Sequence, residues 1–293
     1  MALQEAGSAL RWQVGDVAIT RIVEMPMRVK VGEDAAFLPV ATVEALRRHP
    51  WLYPDFVSEA DELLLSIHAL LVEAPGLRLV VDTCIGNDKP RGFLGGNSLS
   101  TPFLDNLAAA GWQRESVDMV VCTHMHVDHV GWNTMLDGDN WVPTFPNARY
   151  LFAQTEFDHW MAFDEDNQRQ IMADSVQPII DAGLAQFVAL DHRLSDEVRL
   201  IPTTGHTPGH VSVMIESQGQ RAVITGDMSH HPCQLPYPDW SPNFDTDQAA
   251  SAQTRWQRFG EWADGEFLVI GTQYAAPTAG KIRREGAAFR FEL

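Results

Sequence analysis

An α+β fold is what this sequence predicts, on three observations. Short apolar runs rich in β-branched residues recur along the chain, and several end in a turn that carries a histidine or an aspartate. Stretches of helical periodicity stand between them. No repeat of fixed period, low-complexity tract or linker divides residues 1–293, so they read as one domain.

The bulk numbers narrow the function. With 45% hydrophobic residues the chain can bury a substantial core. A formal net charge of -18 argues against nucleic acid as a partner, because phosphate backbones are held by basic surfaces. The same field disfavours highly anionic substrates, although a bound cation reverses the sign locally. Met1 to Trp12 lack the basic start and apolar centre of a signal peptide, and no run approaches the ~18 apolar residues of a membrane span. A cytoplasmic protein with no membrane partner is expected. Cys84, Cys122 and Cys233 are odd in number and far apart, which implies no disulfide framework.

In chain order, Trp12 to Met25 reads as a strand covered on both faces. Pro26, Pro39, Pro50 and Pro54 then break the chain, among Phe37, Trp51, Tyr53 and Phe56 and a short helical pattern at Thr42 to Arg48. This region, 26–60, is expected to roof a pocket or to make a homodimer contact, the other reading being an excursion packed on its own core. Leu63 to Glu73 and Leu77 to Asp82 flank Ala74-Pro75-Gly76 as a hairpin. Asp82 then leaves a strand into a turn, where it is placed to support a metal ligand or to bond turn amides. A helix over Pro102 to Ala110 stops at Gly111 and leads into the strand Met119 to Cys122. Ala148 to Ala153, Gln186 to Leu190, Glu197 to Pro202, Arg221 to Thr225 and Phe267 to Gly271 are further strands, and Ile282 to Phe291 closes the chain. Helices are expected at Glu156 to Phe163, Gln168 to Ala182 and Asp247 to Asp264.

The chemistry is concentrated after Cys122. His124, His126, Asp128 and His129 place four potential metal ligands within six residues. Imidazole nitrogen and carboxylate oxygen serve Zn, Mn and Fe alike, so residue type does not choose among them. At a strand end His124 and His126 fall on one side, and Asp128 and His129 in the following turn can aim at a neighbouring point. Two adjacent metal positions are expected. A second cluster, Gly205-His206-Thr207-Pro208-Gly209-His210, follows a later strand, and Gly226-Asp227 ends another.

With His124-x-His126-x-Asp128-His129, Gly205-His206-Thr207-Pro208-Gly209-His210 and Gly226-Asp227 in that order, the chain strongly resembles the metallo-β-lactamase superfamily from about Val14 to its end. Val81-Asp82-Thr83-Cys84-Ile85-Gly86-Asn87-Asp88 and Pro277-Thr278-Ala279-Gly280 resemble the branch of methyl parathion hydrolase and the quorum-quenching lactonases. The resemblance implies a four-layer αββα sandwich with metals at one edge of its two sheets. It further implies that His124, His126 and His206 hold a first metal, that Asp128 and His129 hold a second, that Asp227 bridges them, and that His210 supports the site without ligating. One or two ions per chain, Zn foremost with Mn or Fe as alternatives, would lower the pKa of a bound water to about 7 and polarise the substrate oxygen. Asp128 and Asp227 would serve catalysis.

One position departs from this pattern. Where the family has Gly-Thr-His, with the histidine as last ligand of the second metal, this chain has Gly271-Thr272-Gln273. A glutamine binds only through a neutral amide oxygen, a weaker donor than imidazole, so Gln273 ligates weakly, yields to water, or leaves the second site empty. His230 and His231 are spare histidines that could compensate. The resemblance implies hydrolysis of a small neutral ester: a lactone, a carboxylic ester or an organophosphate triester. Trp51, Tyr53, Phe56, Trp132, Trp141 and Trp240 are offered as apolar surface for it, and Tyr237 and Tyr274 as oxyanion donors or packing aromatics. Two other readings stay open: a mononuclear iron oxygenase of the persulfide-dioxygenase kind, and a ligand-binding relative with a decayed site.

Overall fold

Two β-sheets face one another across an aliphatic core in the computed structural model, which describes residues 10–32, 37–92, 96–163 and 165–293. In the first sheet β1 (Arg11–Val14), β2 (Val17–Val29), β3 (Leu63–Ala74) and β4 (Leu77–Val81) form an antiparallel meander, and β5 (Met119–Val121) joins β4 in parallel. A separate ribbon pairs β6 (Thr134–Asp137) with β7 (Asn140–Pro143), and β8 (Arg149–Ala153) and β9 (Ala185–Val188) then extend the first sheet in parallel. The second sheet holds β10 (Val198–Pro202), β11 (Val211–Ser217), β12 (Gln220–Ile224), β13 (Leu268–Ile270), β14 (Ala279–Glu285) and β15 (Ala288–Glu292). It is antiparallel except where β12 lies parallel to β13.

Period-two alternation sorts the side chains into layers. Leu70, Val72, Leu79, Val81 and Val121 meet Val213, Ile215, Ala222 and Ile224 between the sheets. Ala69, Leu71, Val80 and Val120 point the other way, toward helices. The helices are α1 (Val43–Arg47), α2 (Phe103–Ala109), α3 (Val127–Val130), α4 (Gln154–Ala162), α5 (Asp166–Ile171), α6 (Gln177–Asp181) and α7 (Gln248–Asp264). Phe103 and Leu107 of α2, Trp160 of α4 and Ile179 of α6 cover the first sheet, while Leu46 of α1 and Phe259 and Trp262 of α7 cover the second. The result is the expected four-layer αββα sandwich.

Several expectations need correction. The strand expected over Trp12–Met25 is a hairpin, because Gly15, at φ +56°, turns the chain between β1 and β2. β2 continues through Pro26 to Val29, where proline was expected to exclude it from the sheet. β1 pairs only with residues 17–20, so at Pro26 the strand has β3 on one side alone and a missing N–H interrupts no second ladder. Residues 38–57 pack Leu38, Ala41, Leu46, Leu52 and Phe56 onto the outer face of the second sheet. The closing strand is two strands, separated at Gly286 with φ +59°. β11 and the β6–β7 ribbon were not anticipated; the ribbon's strands are only four residues each and show no clean alternation of apolar and polar side chains. The expectation for the N-terminus falls mostly on residues 1–9, outside the described part of the chain. No helix of the described residues is long and apolar enough to cross a membrane.

His231 shows how the early segment is tied down. Its Nε2–H donates to Phe56 O at 2.8 Å, and its Nδ1 accepts from Cys233 N at 3.0 Å. It is a neutral structural histidine and no spare ligand. Burial pushes its pKa down from 6.5 to about 4. Below pH 6.5 the unfolded chain takes up a proton that the folded chain refuses until about pH 4, so stability falls with falling pH across that window. The loss reaches about 3 kcal/mol near its lower end. Denaturant titrations of metal-free protein at pH 7, 6 and 5 should give a shallower decline for His231→Gln than for wild type; parallel declines would refute this assignment.

Candidate metal centre

Strand ends build the site. β4 and β5 run parallel and finish side by side, the first at Asp82 and the second at the run from Thr123 to His129. Across the sandwich, β10 leads to His206, β12 to Asp227 and β13 to Gln273. Six of the ligand candidates, His124, His126, Asp128, His129, His206 and Asp227, therefore meet at one edge of the two sheets. Gln273 joins them, held by a hydrogen bond from Ser66 N of β3 to its carbonyl at 3.0 Å.

Three imidazole nitrogens form a tight triangle. His124 Nε2, His126 Nδ1 and His206 Nε2 stand 3.0, 2.9 and 3.1 Å apart. Their outer partners fix which of these nitrogens carry protons. His206 Nδ1–H donates to Asp245 Oδ1 at 2.7 Å, leaving a lone pair on Nε2. Thr123 Oγ1–H donates to Asp82 Oδ2, so it accepts from His124 Nδ1–H at 3.1 Å and leaves a second lone pair on His124 Nε2. Burial, and then the neighbouring imidazoles, hold His124 and His126 well below the ordinary histidine pKa, so both are neutral near pH 7. Two lone pairs aimed at each other across 3.1 Å repel unless a cation lies between them. At metal–nitrogen distances of about 2.0–2.1 Å the triangle subtends angles near 95°, which a metal ion accepts. The residues present fit a divalent cation.

The other half of the cluster is anionic. His129 Nδ1–H donates to Asp82 Oδ2 at 2.8 Å, and its Nε2 faces Asp227 Oδ2 at 3.2 Å and Asp128 Oδ2 at 3.6 Å. Burial opposes charge on His129, yet Asp227, Asp128 and Asp82 hold its pKa well above the usual value. Burial pushes the Asp227 carboxyl up, but His129 and His230 beside it keep it well below the usual carboxylate range. Into this pocket the Gln273 amide nitrogen donates to Asp128 Oδ2 at 2.5 Å and to Asp227 Oδ2 at 3.3 Å, and it lies 3.5 Å from His129 Nε2. An N–H group offers no lone pair, so ligation through Gln273 requires its oxygen turned inward instead.

Supporting residues lock the ligand loops. Asp82 accepts from Thr123 N at 2.8 Å as well as from the Thr123 hydroxyl and His129, so one carboxylate orients two imidazoles. His210 does not ligate: its Nδ1–H donates to Thr203 Oγ1 at 2.8 Å and its Nε2 accepts from Asp227 N at 2.8 Å. A Cβ on Gly226 would lie 2.5 Å from that Nε2, so residue 226 must be glycine for His210 to hold Asp227. Two carboxylates went unread in the sequence. Buried Glu156 accepts from Met125 N and Gly209 N, both at 3.0 Å, and thereby joins the two histidine loops. Buried Asp245 orients His206 and is fixed by the loop that Arg255 of α7 grips through Pro238 O and Ser241 Oγ. Neither lies near a ligand motif in sequence; no local signal marks them.

A cavity of about 390 Å³ opens on the centre. His126, Asp128, Asp227, His230 and Gln273 line its floor, and Met27, Phe37, Leu65, Ile67, Ile171 and Phe244 form apolar walls. Among the described residues, Trp51, Tyr53, Phe56, Trp132, Trp141 and Trp240 do not line it, contrary to expectation. Phe56 packs on His231 and Phe291, Trp132 stacks on Phe103, and Trp141 covers Lys89. Tyr274 bonds Ser229 Oγ at 2.7 Å in the core, and Tyr237 stacks on Trp240 and meets His49. Neither phenol borders the cavity.

A sequence model of the metallo-beta-lactamase superfamily matches residues 64–265. An N-acyl homoserine lactonase of Bacillus thuringiensis is 25% identical over 118 residues, a match that spans 40% of this chain and 40% of that protein's length. Among solved structures, the hydrolase AbOPH of the beta-lactamase superfamily has a TM-score of 0.80 at 23% identity, covering 98% of each chain. AidC, a dizinc quorum-quenching lactonase in complex with a product, has a TM-score of 0.79 at 21% identity, covering 96% of each. At these identities the structural likeness establishes the fold.

If Asp245 fixes the ligating tautomer, Asp245→Asn should let an amide N–H point at His206 Nδ1 and drive the proton to Nε2. Affinity for the tightest ion should then fall about 10–100-fold with circular dichroism unchanged. Competition with a chromophoric chelator measures it, and wild-type affinity in the variant would reject the role.

Proposed function

The chain belongs to the metallo-β-lactamase superfamily, and from that premise we propose that it is a metal-dependent hydrolase of small neutral esters: lactones, carboxylic esters or organophosphate triesters. The observation that carries this reading is the pair of opposed lone pairs at His124 Nε2 and His206 Nε2, 3.1 Å apart, beneath an apolar-walled cavity. The names of the similar proteins, lactonases and a hydrolase, lean the same way.

His124, His126, His206 and Asp227 would hold a divalent ion, which when bound would supply Lewis acidity and lower the pKa of a water to about 7. The protein's own groups do the rest. Met27, Phe37, Leu65, Ile67 and Phe244 bind the apolar part of the substrate and exclude water around its ester. Asp128, partly exposed on the cavity floor, accepts a proton from the attacking water as the new bond to carbon or phosphorus forms. It returns that proton to the departing alkoxide or phenoxide as the ester bond breaks. Asp128, Asp227 and the rim residue Glu165 disfavour an anionic substrate in the same cavity.

The Gln273 amide favours a second reading. Its donation to Asp128 and Asp227 occupies the side on which a second ion would sit, and a one-metal site with two or three histidines and an aspartate also suits a mononuclear iron oxygenase. Iron content with oxygen consumption on a thiol persulfide would favour that reading; anaerobic ester hydrolysis supported by Zn or Mn would eliminate it.

The test is a metal-defined assay of lactone, aryl ester and phosphotriester substrates on wild type and Gln273→His. Chelation should abolish hydrolysis and Zn or Mn should restore it. Gln273→His should raise bound metal from about one ion per chain toward two, because imidazole is the stronger donor. Unchanged metal content and rate in the variant would count against the weakened second site.

A further inference from the structure

One imidazole of the centre is held differently from the rest. Behind His124, His129 and His206 stand Thr123, Asp82 and Asp245, each accepting from the ring nitrogen that faces away from the cluster. His126 has no such partner. Its Nδ1 joins the imidazole triangle, and no described residue bonds its Nε2. The ring packs on Trp160, with centroids 5.2 Å apart. Ligating imidazoles are ordinarily oriented by a hydrogen bond to the far nitrogen, so the direction of this one falls to its backbone.

That backbone is gripped on both sides of Met125. The two soft dihedrals at Met125 turn His126 relative to His124. Glu156 fixes the peptide plane before them, accepting from Met125 N at 3.0 Å. Buried Gln168 of α5 fixes the plane after them, its Nε2–H donating to Met125 O at 3.1 Å. A carbonyl can only accept, so the amide nitrogen of Gln168 lies on that side. The helix that carries Gln168 is anchored in turn. α5 runs into a π-helical turn, Met172–Val176, where Pro178 has no N–H to return the helical bond to Asp174 O. Lys89 Nζ at 3.1 Å and Thr134 Oγ1 at 2.5 Å donate to that carbonyl, and Arg91 holds the Asp174 carboxylate at 2.7 and 2.9 Å.

We propose that Gln168 is the positioning residue of His126. Through Met125 O it sets the 3.0 Å approach of His126 Nδ1 to His124 Nε2, and with it the affinity for an ion that these imidazoles share. It acts on the centre through the backbone and not as a ligand. The inference rests on the metal-dependent reading above. Because Gln168 and Ile171 of the same helix line the cavity, the wall against which a substrate packs and the direction of one metal ligand are fixed by a single element.

Gln168→Met keeps the length and the cavity wall while removing the donor, and Gln168→Glu keeps the shape while setting a carboxylate against the carbonyl. Both should bind the tightest ion about tenfold more weakly by competition with a chromophoric chelator. The Co(II)-loaded variants should also show altered visible absorption as His126 leaves its place. A merely structural hydrogen bond would lower the melting temperature of metal-free protein and leave that spectrum alone. Wild-type affinity and spectrum in Gln168→Met therefore overturn the proposal, whatever its melting temperature. In wild-type protein the side-chain amide resonance of Gln168 should move when one equivalent of Zn binds; an unmoved resonance overturns the proposal without recourse to a variant. A wild type that takes up no Zn, Mn, Fe or Co overturns it together with the proposed function. Metal affinity that depends on residue 168, with no ester hydrolysed, keeps the positioning role and removes only that function.

Discussion

The site depends on two imidazole lone pairs forced together. His124 Nε2 and His206 Nε2 come from opposite sheets and face each other at 3.1 Å. Without a cation this contact is repulsive, and it persists because each ring is held from behind: His206 by Asp245, His124 by Thr123 and Asp82. A carboxylate behind an imidazole fixes the tautomer and raises the basicity of the far nitrogen. Asp82 has the further property of serving both His124 and His129, so one buried residue sets the direction of ligands on both halves of the cluster. Such a carboxylate needs an unusual backbone, and Asp82 sits at φ +58°, where the strand end turns its side chain back beneath the histidines.

Closing the two sheets on one another is what brings these groups into register. The edge where β4, β5, β12 and β13 end carries every ligand loop, and parallel pairing makes the ends coincide. Loops alone would be too loose. Glu156 couples the loop of Met125 to that of Gly209, and His210 couples the latter to Asp227, so that displacement of one loop moves the others. Stability and function draw on the same bonds here, because the carboxylates that preorganise the ligands are themselves buried and accept from the loops they hold.

The sequence disclosed this unevenly. The HxHxDH spacing, the second histidine cluster and Gly226-Asp227 lie at strand ends in local motifs, and the ligand candidates they carry were legible because a short loop needs all its donors close together. Asp82 was readable for the same reason, as the residue where a strand meets a turn. Asp245 and Glu156 were not. Asp245 is 39 residues from His206, and Glu156 is 31 from Met125, so only the fold brings them together. Cavity walls were worse: the tryptophans offered for them pack elsewhere, Trp132 on Phe103 and Trp141 on Lys89, and the walls came from Met27, Leu65 and Ile67 on strands, residues that alternate like any core residue. Which end of a strand opens onto a cavity is a tertiary fact.

Asp227 marks the boundary between the two halves of the centre, and its two sides are unequal. On one side its Oδ2 meets His129 and the Gln273 amide; on the other it meets His230, with His124 and His206 both at 3.9 Å. The Gln273 amide N–H stabilises the two carboxylates by hydrogen bonding. On the other side the His230 ring edge stands against the same oxygen at 3.3 Å. With its nitrogen turned inward, Gln273 from the second sheet ties Asp128 of the first to Asp227, so the carboxylate on the cavity floor is positioned from across the sandwich.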